Sequence, residues 1–303
     1  LVEGDTNAIN SGSYGWIGPG LTNGHQLSQA GNYWNVADRT YYSFGWKGNG
    51  GTKVTVAESG SGSGCVNACT HQANTTAGFS IITYTGRDDE LSNAQESKLT
   101  HGLGVAPTFT IMKRRSGATG SWFVISKHIT ATSAYGNNEY LNFDNYNNVN
   151  GNSYTGDTAP DSTYIYLGNE LVNIADAEYV CYAFTDVQGY SKFGEYLGNA
   201  NANGTFVYTG FKPAMILVKA RAAGASWRVM NSGTSPTNPA DAAHVVESNS
   251  EADVTGSTVY CDFLSNGFKH RASGLSNAAS NFIYMAFAEQ PFVTSTGTPT
   301  TAR

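Results

Sequence analysis

Short apolar runs that alternate with polar residues recur along the whole chain. In residues 107–113, Phe109 and Ile111 alternate with threonines, a period of two that is typical of a strand with one buried face. Residues 215–219 are almost continuously apolar, as in a strand covered on both faces. Gly, Asn, Ser and Thr, which favour turns, lie between the runs. The pattern predicts many short strands and no long helix.

The apolar runs recur as matched segments separated by roughly 100–110 residues. In this match His101 falls at the position of Tyr208, and Trp122 falls at that of Trp227. The matched segments are 78–86 with 189–198, 101–113 with 208–219, 120–124 with 225–229, 166–169 with 263–266, and 179–184 with 282–287. A period of this length corresponds to a whole domain rather than to a solenoid unit.

The repeat predicts an all-β chain of tandem β-sandwich or jelly-roll-like domains, because seven or eight short strands per unit is the density of both folds. Residues 35–46 resemble 173–184 and predict a third, incomplete copy, which is either truncated itself or preceded by its front half in a longer chain. The predicted boundaries are 1–57 for the C-terminal half of that copy, 58–73 for a Gly/Ser-rich linker, 74–188 and 189–293 for two full repeats, and 294–303 for a flexible tail.

Composition and charge exclude several functions. Charged residues make up 13% of the 303 residues, and the formal net charge is −6 at pH 7. The densest basic run is Lys113-Arg114-Arg115, which fits a solvated strand end better than a nucleic-acid surface. A membrane helix needs about 20 consecutive apolar residues, and no such run occurs. We therefore expect no nucleic-acid partner and no membrane insertion.

Two of the four cysteines lie close together, Cys65 and Cys69. A zinc site would need a further pair of ligands at suitable spacing, and His71 is the only additional candidate nearby. The spacing therefore favours a small disulfide loop, with two free thiols as the open alternative. Cys181 and Cys261 lie in strand-like runs and are expected to be buried thiols.

Candidate catalytic groups do not recur between the copies. The densest acidic cluster, residues 88–90, corresponds to the Asn-rich loop 199–203, and a glycosidase would need a carboxylate pair in a cleft. His101 is exchanged for Tyr208, which favours a structural role. The Asn-rich residues 144–152 lack the spacing of a calcium loop. We therefore predict a chain that is not an enzyme and binds no cofactor or metal.

The loops are rich in Tyr, Asn, Ser and Gly, as in binding surfaces that combine rigid aromatic rings with adaptable hydrogen bonds. Tyr135, Tyr146 and Tyr154 are candidates for stacking on sugar rings. Each of them could instead be a packing residue.

Several motifs, read together in their order and spacing, resemble a family of uncharacterised structural, tail-fibre-like proteins of tailed, mainly marine, bacteriophages. These motifs lie at residues 101–107, 113–115, 189–198, 206–213, 263–269 and 283–289, and the resemblance covers about 35–293. It implies a homo-oligomeric virion-surface or extracellular protein whose partners are other copies of itself, other virion proteins and host surface polysaccharide. The alternatives are a carbohydrate-binding adhesin or filament subunit of non-phage origin and, less favoured, a polysaccharide-degrading enzyme.

Overall fold

The computed structural model divides the chain into two compact units, Leu1–Trp46 and Lys47–Arg303. The described residues are 17–21, 24–27, 43–48, 52–60, 64–87, 97–117, 120–129, 139–144, 150–151, 158–168, 170–222, 225–246, 254–255 and 259–290. In the first unit, strand β1 (Ile17–Leu21) pairs antiparallel with β2 (Gly24–Leu27). Most of the motif behind the predicted incomplete copy, 35–42, lies outside the described residues.

The second unit contains a first sandwich of two sheets. The larger sheet has the spatial order β11 (Asn150–Gly151), β10 (Glu139–Asn142), β9 (Trp122–Ser126), β8 (Phe109–Arg114), β13 (Glu178–Phe184), β6 (Phe79–Thr85), β5 (Cys69–Asn74) and β3 (Val54–Val56). The smaller sheet has the order β12 (Tyr164–Leu167), β7 (Ser97–Thr100) and β4 (Cys65–Val66). Ile82, Met112 and Cys181 of the larger sheet share a buried core with Leu99 and Ile165 of the smaller one. A short helix, α1 (Glu170–Asn173), precedes β13.

A second sandwich follows in the same unit. Its larger sheet has the order β14 (Ser191–Leu197), β22 (Asn281–Ala288), β16 (Pro213–Ala220), β17 (Arg228–Asn231), β18 (Ala242–Val245) and β19 (Val254–Thr255). Its smaller sheet has the order β15 (Phe206–Tyr208), β21 (Gly267–His270) and β20 (Cys261–Leu264). A single turn of 3-10 helix, Leu275–Asn277, precedes β22. The all-β, sandwich-like fold class predicted from the sequence is confirmed.

The two sandwiches share one strand order. The series β6-β13-β8-β9-β10-β11 of the first corresponds to β14-β22-β16-β17-β18-β19 of the second. The pairing registers place Trp122 and Trp227 at the same position. They also correct two details of the sequence match: His101 corresponds to Thr209, not to Tyr208, and Leu167 corresponds to His270, not to Leu264. The backbone N–H of His101 bonds Thr163 and that of Thr209 bonds Asn266 at the same strand end.

The segment predicted as a linker, 58–73, contributes to the first sandwich instead. It contains β4 and most of β5, so it adds a strand to each sheet. Its Gly-rich part turns back on itself, and Ser59 and Val66 bond each other through their backbones. The buried Arg87 guanidinium donates to the carbonyls of Ser59, Gly60 and Val66. Gly60 and Gly64, both with positive φ, therefore flank a return of the chain rather than a flexible spacer. Strands β3, β4 and β5 have no counterpart among the described strands of the second sandwich.

The sandwiches contact each other through the outer faces of their larger sheets. The Phe193 ring lies 6.1 Å from Phe109 and 5.9 Å from Phe184, and Phe287 lies 6.3 Å from Phe184. A buried hydrogen bond of 2.7 Å joins Trp227 Nε1 to the Asn142 carbonyl. Both faces of each larger sheet are therefore partly buried, which accounts for the continuous apolar run 215–219.

Candidate functional site

A stacked tyrosine recurs at one end of each sandwich. The Tyr84 hydroxyl donates to the Val172 carbonyl at 2.6 Å, and its ring stacks on Tyr179 at 4.9 Å. In the second sandwich the Tyr196 hydroxyl donates to the Ser276 carbonyl at 2.5 Å, and its ring stacks on Phe282 at 5.0 Å. Burial raises the pKa of both phenols well above the usual range. These phenols remain protonated donors in the folded chain.

Next to each tyrosine, a glycine after the strand faces a buried asparagine. A side chain on Gly86 would meet the Ile174 carbonyl at 2.0 Å, and one on Gly198 would meet the Ala278 carbonyl at 2.0 Å. The preceding residue is asparagine in both cases, Asn173 and Asn277, and both are buried. We call each tyrosine, glycine and asparagine set an end lock. The sequence match paired the tyrosines, the glycines and the asparagines of the two copies, but it did not reveal that they contact each other, because each asparagine is distant in sequence from its tyrosine and glycine.

Asn277 is the centre of the more extensive end lock. Its Nδ2 donates to Asn199 Oδ1 at 2.9 Å and to the carbonyls of Asn201 at 2.9 Å and Ala272 at 2.8 Å. Its Oδ1 accepts from the Asn199 N–H at 3.2 Å. Asn277 therefore fixes the Asn-rich loop 199–203 against the chain that enters the 3-10 helix. This arrangement is structural, because each polar atom is engaged with the backbone or with a neighbouring amide.

The buried histidines also have structural surroundings. His101 is fully buried, lies within 3.1 Å of the Asp161 carbonyl and accepts the Leu103 N–H at 3.2 Å. Burial lowers the pKa of His101, and it lowers the pKa of both His128 and His270 to about 4. These imidazoles are neutral near pH 7. The structural role expected for His101 agrees with these contacts.

The disulfide predicted between Cys65 and Cys69 is not present, and both side chains are buried thiols. Cys65 lies in β4 of the smaller sheet and Cys69 in β5 of the larger sheet, because Asn67 and Ala68, between the two strands, cross from one layer to the other. Cys69 Sγ lies 3.3 Å from Thr100 Oγ1. Cys181 and Cys261 are free and fully buried, as expected, and burial raises the pKa of both thiols.

Several residues singled out in the sequence lie outside the described residues. These are the candidate sugar-stacking residues Tyr135, Tyr146 and Tyr154, the acidic cluster 88–90 and most of the Asn-rich segment 144–152. Within the part of the chain that the structure describes, no group of three or more His, Cys, Asp and Glu side chains could hold a metal ion. The helices described there are all too short or too polar to cross a bilayer.

The most exposed apolar side chains of the second sandwich lie on and beside strand β15. Tyr208 is 65% exposed and Phe206 is 44% exposed, whereas Val207 between them points into the core. The Phe206 ring leans over Gly267 on the neighbouring strand, at 3.2 Å from the position a side chain there would take. Leu197, at the end of β14, is 62% exposed, and its carbonyl accepts the Thr205 hydroxyl just before β15. We call Leu197, Phe206 and Tyr208 the aromatic edge.

Strand β15 differs from its counterpart β7 in having an open side. In the first sandwich, β4 pairs in parallel with β7, and the Asn67 N–H donates to the Lys98 carbonyl at 2.9 Å. Among the described residues, β15 pairs with β21 alone. The registers on β12 and β21 place Phe206 where β7 has Lys98, and Tyr208 where it has Thr100. The copies therefore differ at these two positions, and the pairing registers were needed to establish which residues to compare.

The neighbouring edge strand, β14, is protected by the chain itself. Val187 bonds Ser191 through the backbone, Asp186 Oδ1 accepts the Phe193 N–H at 2.9 Å, and the Thr205 hydroxyl donates to the Leu197 carbonyl at 2.7 Å. These groups occupy hydrogen-bonding positions that a further strand would need. The short connection between the sandwiches therefore covers β14 and leaves β15 open.

Comparison with known proteins identifies a family. The model of a domain of unknown function, DUF7483, matches residues 9–291, and the chain belongs to that family. The match begins within the first unit and spans both sandwiches. The comparisons found no matching curated protein and no matching solved structure.

Proposed function

We propose that this member of the family is a structural protein of a tailed-phage particle, a tail fibre or another appendage on the virion surface. The observation that carries the proposal is the pair of sandwiches with one strand order, joined through a shared aromatic face. Such a body suits a mechanically stable part exposed outside a cell, because the strands β13, β16 and β22 are covered on both faces along most of their length. The motifs at 189–198 and 283–289, which carry part of the resemblance to the phage family, contain β14 and most of β22, two strands that lie at this face.

The chemistry of the described side chains supports a structural role rather than catalysis. The histidines at positions 101 and 270 and the four cysteines are buried, and the end locks engage their polar atoms internally. A reacting group must be accessible and close to a partner that activates it. The partners proposed for the chain are copies of itself, other virion proteins and host surface polysaccharide.

The proposal is tested on intact particles. Antibodies raised against the purified chain should label the appendages of intact phage in immunogold electron microscopy, and the chain should appear in the mass spectrum of purified virions. A chain that infected cells produce but that purified particles lack would refute the proposal.

Contact with host polysaccharide is tested separately. Replacement of Tyr135, Tyr146 and Tyr154 together by alanine should abolish binding on a glycan array if these rings stack on sugars. The matched control replaces Tyr164, Tyr166 and Tyr182, which lie on described strands. Equal binding by the wild-type chain and the first variant would refute the assignment of these three tyrosines.

A further inference from the structure

The aromatic edge combines an open strand side with uncharged, exposed rings. Soluble proteins usually protect such a side with a lysine, a proline, a bulge or a covering segment. The same chain protects two other strands in this way. Strand β4 pairs with β7 and places Val66 beside Lys98, and Asp186 accepts a backbone hydrogen bond from β14. Strand β15 has neither device among the described residues. An exposed strand of this kind is a template for pairing with another chain.

The backbone of β15 is oriented for such pairing. The His270 N–H donates to the Thr205 carbonyl, and the Thr209 N–H donates to the Asn266 carbonyl. Residues 205, 207 and 209 therefore direct their backbone groups to β21, and by alternation Phe206 and Tyr208 direct theirs to the open side. Among the described residues, no strand pairs with this side of β15.

We propose that β15 pairs antiparallel with β15 of a second copy of this chain, about a two-fold axis at Val207. This inference rests on the proposed function, in which copies of the chain associate. It identifies β15 as the surface through which they do so. Phe206 of one copy then lies opposite Tyr208 of the other. Each of the two pairs exchanges two backbone hydrogen bonds, and the smaller sheets join into one sheet of six strands.

The side chains favour a second copy as the occupant because the strand is complementary to itself. Directly opposite side chains lie on the same face of a sheet, so the pairing forms two cross-strand contacts between Phe206 and Tyr208. On that face the neighbours within each copy are Lys269 beside Phe206 and Gly267 beside Tyr208. Across the joined sheet, the side chains on this face follow in the order Lys269 and Phe206 of one copy, then Tyr208 and Gly267 of the other copy. No two like charges are opposed, and the arrangement is the isologous contact of a closed dimer.

The first experiment measures association of the purified full chain by sedimentation velocity at increasing concentration. The wild-type chain should form dimers. The double variant Phe206→Lys with Tyr208→Thr installs the residues that β7 has at these positions, and it should dimerise at least about tenfold more weakly because two aromatic pairs are lost. The control Val105→Lys changes another exposed apolar residue, 51% exposed in the first sandwich, and should dimerise like the wild type.

The second experiment tests the register. A mixture of the single variants Phe206→Cys and Tyr208→Cys should form a disulfide-linked dimer on mild oxidation, because Cα atoms of a directly opposite pair lie about 5.5 Å apart. Each variant alone should form little, since identical positions are then offset along the strands. The wild-type chain, whose cysteines are buried, measures the background.

A chain that stays monomeric, dimers that the double variant leaves unchanged, or a mixture that fails to cross-link would each overturn the pairing. A monomeric chain is also the result expected if β15 binds a strand of a different protein. Because both experiments use the isolated chain, they can fail while immunogold labelling of particles succeeds. The reverse is equally possible, so the two proposals are tested independently.

Discussion

Replacing Asn277 by alanine should destabilise the second sandwich strongly. The side chain is fully buried, and its Nδ2 has two hydrogens for three acceptors at 2.8–2.9 Å, while its Oδ1 accepts at 3.2 Å. Counting two donated bonds and one accepted bond at about 0.5–1.5 kcal/mol each, and adding the penalty for buried groups left without a partner, gives a loss of about 3–5 kcal/mol. That is a large fraction of the roughly 5–15 kcal/mol that stabilises a typical domain.

Urea unfolding followed by tryptophan fluorescence measures this loss. The midpoint of Asn277→Ala should fall while the slope m stays unchanged, because the area exposed on unfolding is the same. Asn173→Ala is the matched variant in the first sandwich, where Oδ1 accepts from the Arg87 N–H and from Asn67 Nδ2. Fewer bonds are lost there, so its cost should be smaller.

Asn203→Ala, at an exposed position of the loop that Asn277 secures, serves as the control and should change stability by less than about 0.5 kcal/mol. The reasoning would be refuted if Asn277→Ala were as stable as the wild type to within about 0.5 kcal/mol. It would also be refuted if the Asn203 variant lost as much as the Asn277 variant.

Three further outcomes are expected. Burial lowers the pKa of His270 to about 4. The contribution of the neutral imidazole to stability is therefore complete above about pH 6.5 and decreases by about 3 kcal/mol as the pH falls to about 4. The variant His270→Leu, which introduces the residue of the equivalent position 167, should reduce this acid sensitivity in urea titrations at several pH values. Trp227→Phe removes the 2.7 Å bond to the Asn142 carbonyl and should lower the free energy of unfolding by about 1–3 kcal/mol at pH 7, whereas an unchanged midpoint would contradict a role in joining the sandwiches. Gly198→Ala places a methyl group 2.0 Å from the Ala278 carbonyl and should cost more than about 2 kcal/mol, measured against Gly104→Ala, where the space is open and only backbone strain opposes the change.

The sequence predicted the strands because their periodicity is a local property. The match of 179–184 with 282–287 corresponds to β13 and β22, which occupy the same place in their sheets. The Gly-rich segment 58–64 was predicted as a linker because glycine favours both spacers and tight returns, and the difference depends on Arg87, which is distant in sequence. The disulfide was predicted from the spacing of Cys65 and Cys69, but spacing does not reveal that the chain crosses between layers there.

The candidate surface was harder to predict for a related reason. Tyrosines in polar loops suggested sugar binding, whereas Phe206 and Tyr208 follow an alternating pattern that resembles a half-buried strand. Whether such a strand is covered depends on a distant segment, β4 in the first sandwich and none of the described strands in the second. The exposure of a strand edge is a property of the whole fold, so local patterns cannot supply it.

The last strand of each sandwich to be synthesised lies between two earlier strands of its larger sheet. β13 lies between β6 and β8, and β22 lies between β14 and β16. During synthesis on the ribosome, the two strands on either side therefore have unpaired inner edges until the final segment emerges. Each half should fold late and in one step, and a chain truncated before residue 281 should leave β14 and β16 with exposed edges that favour aggregation.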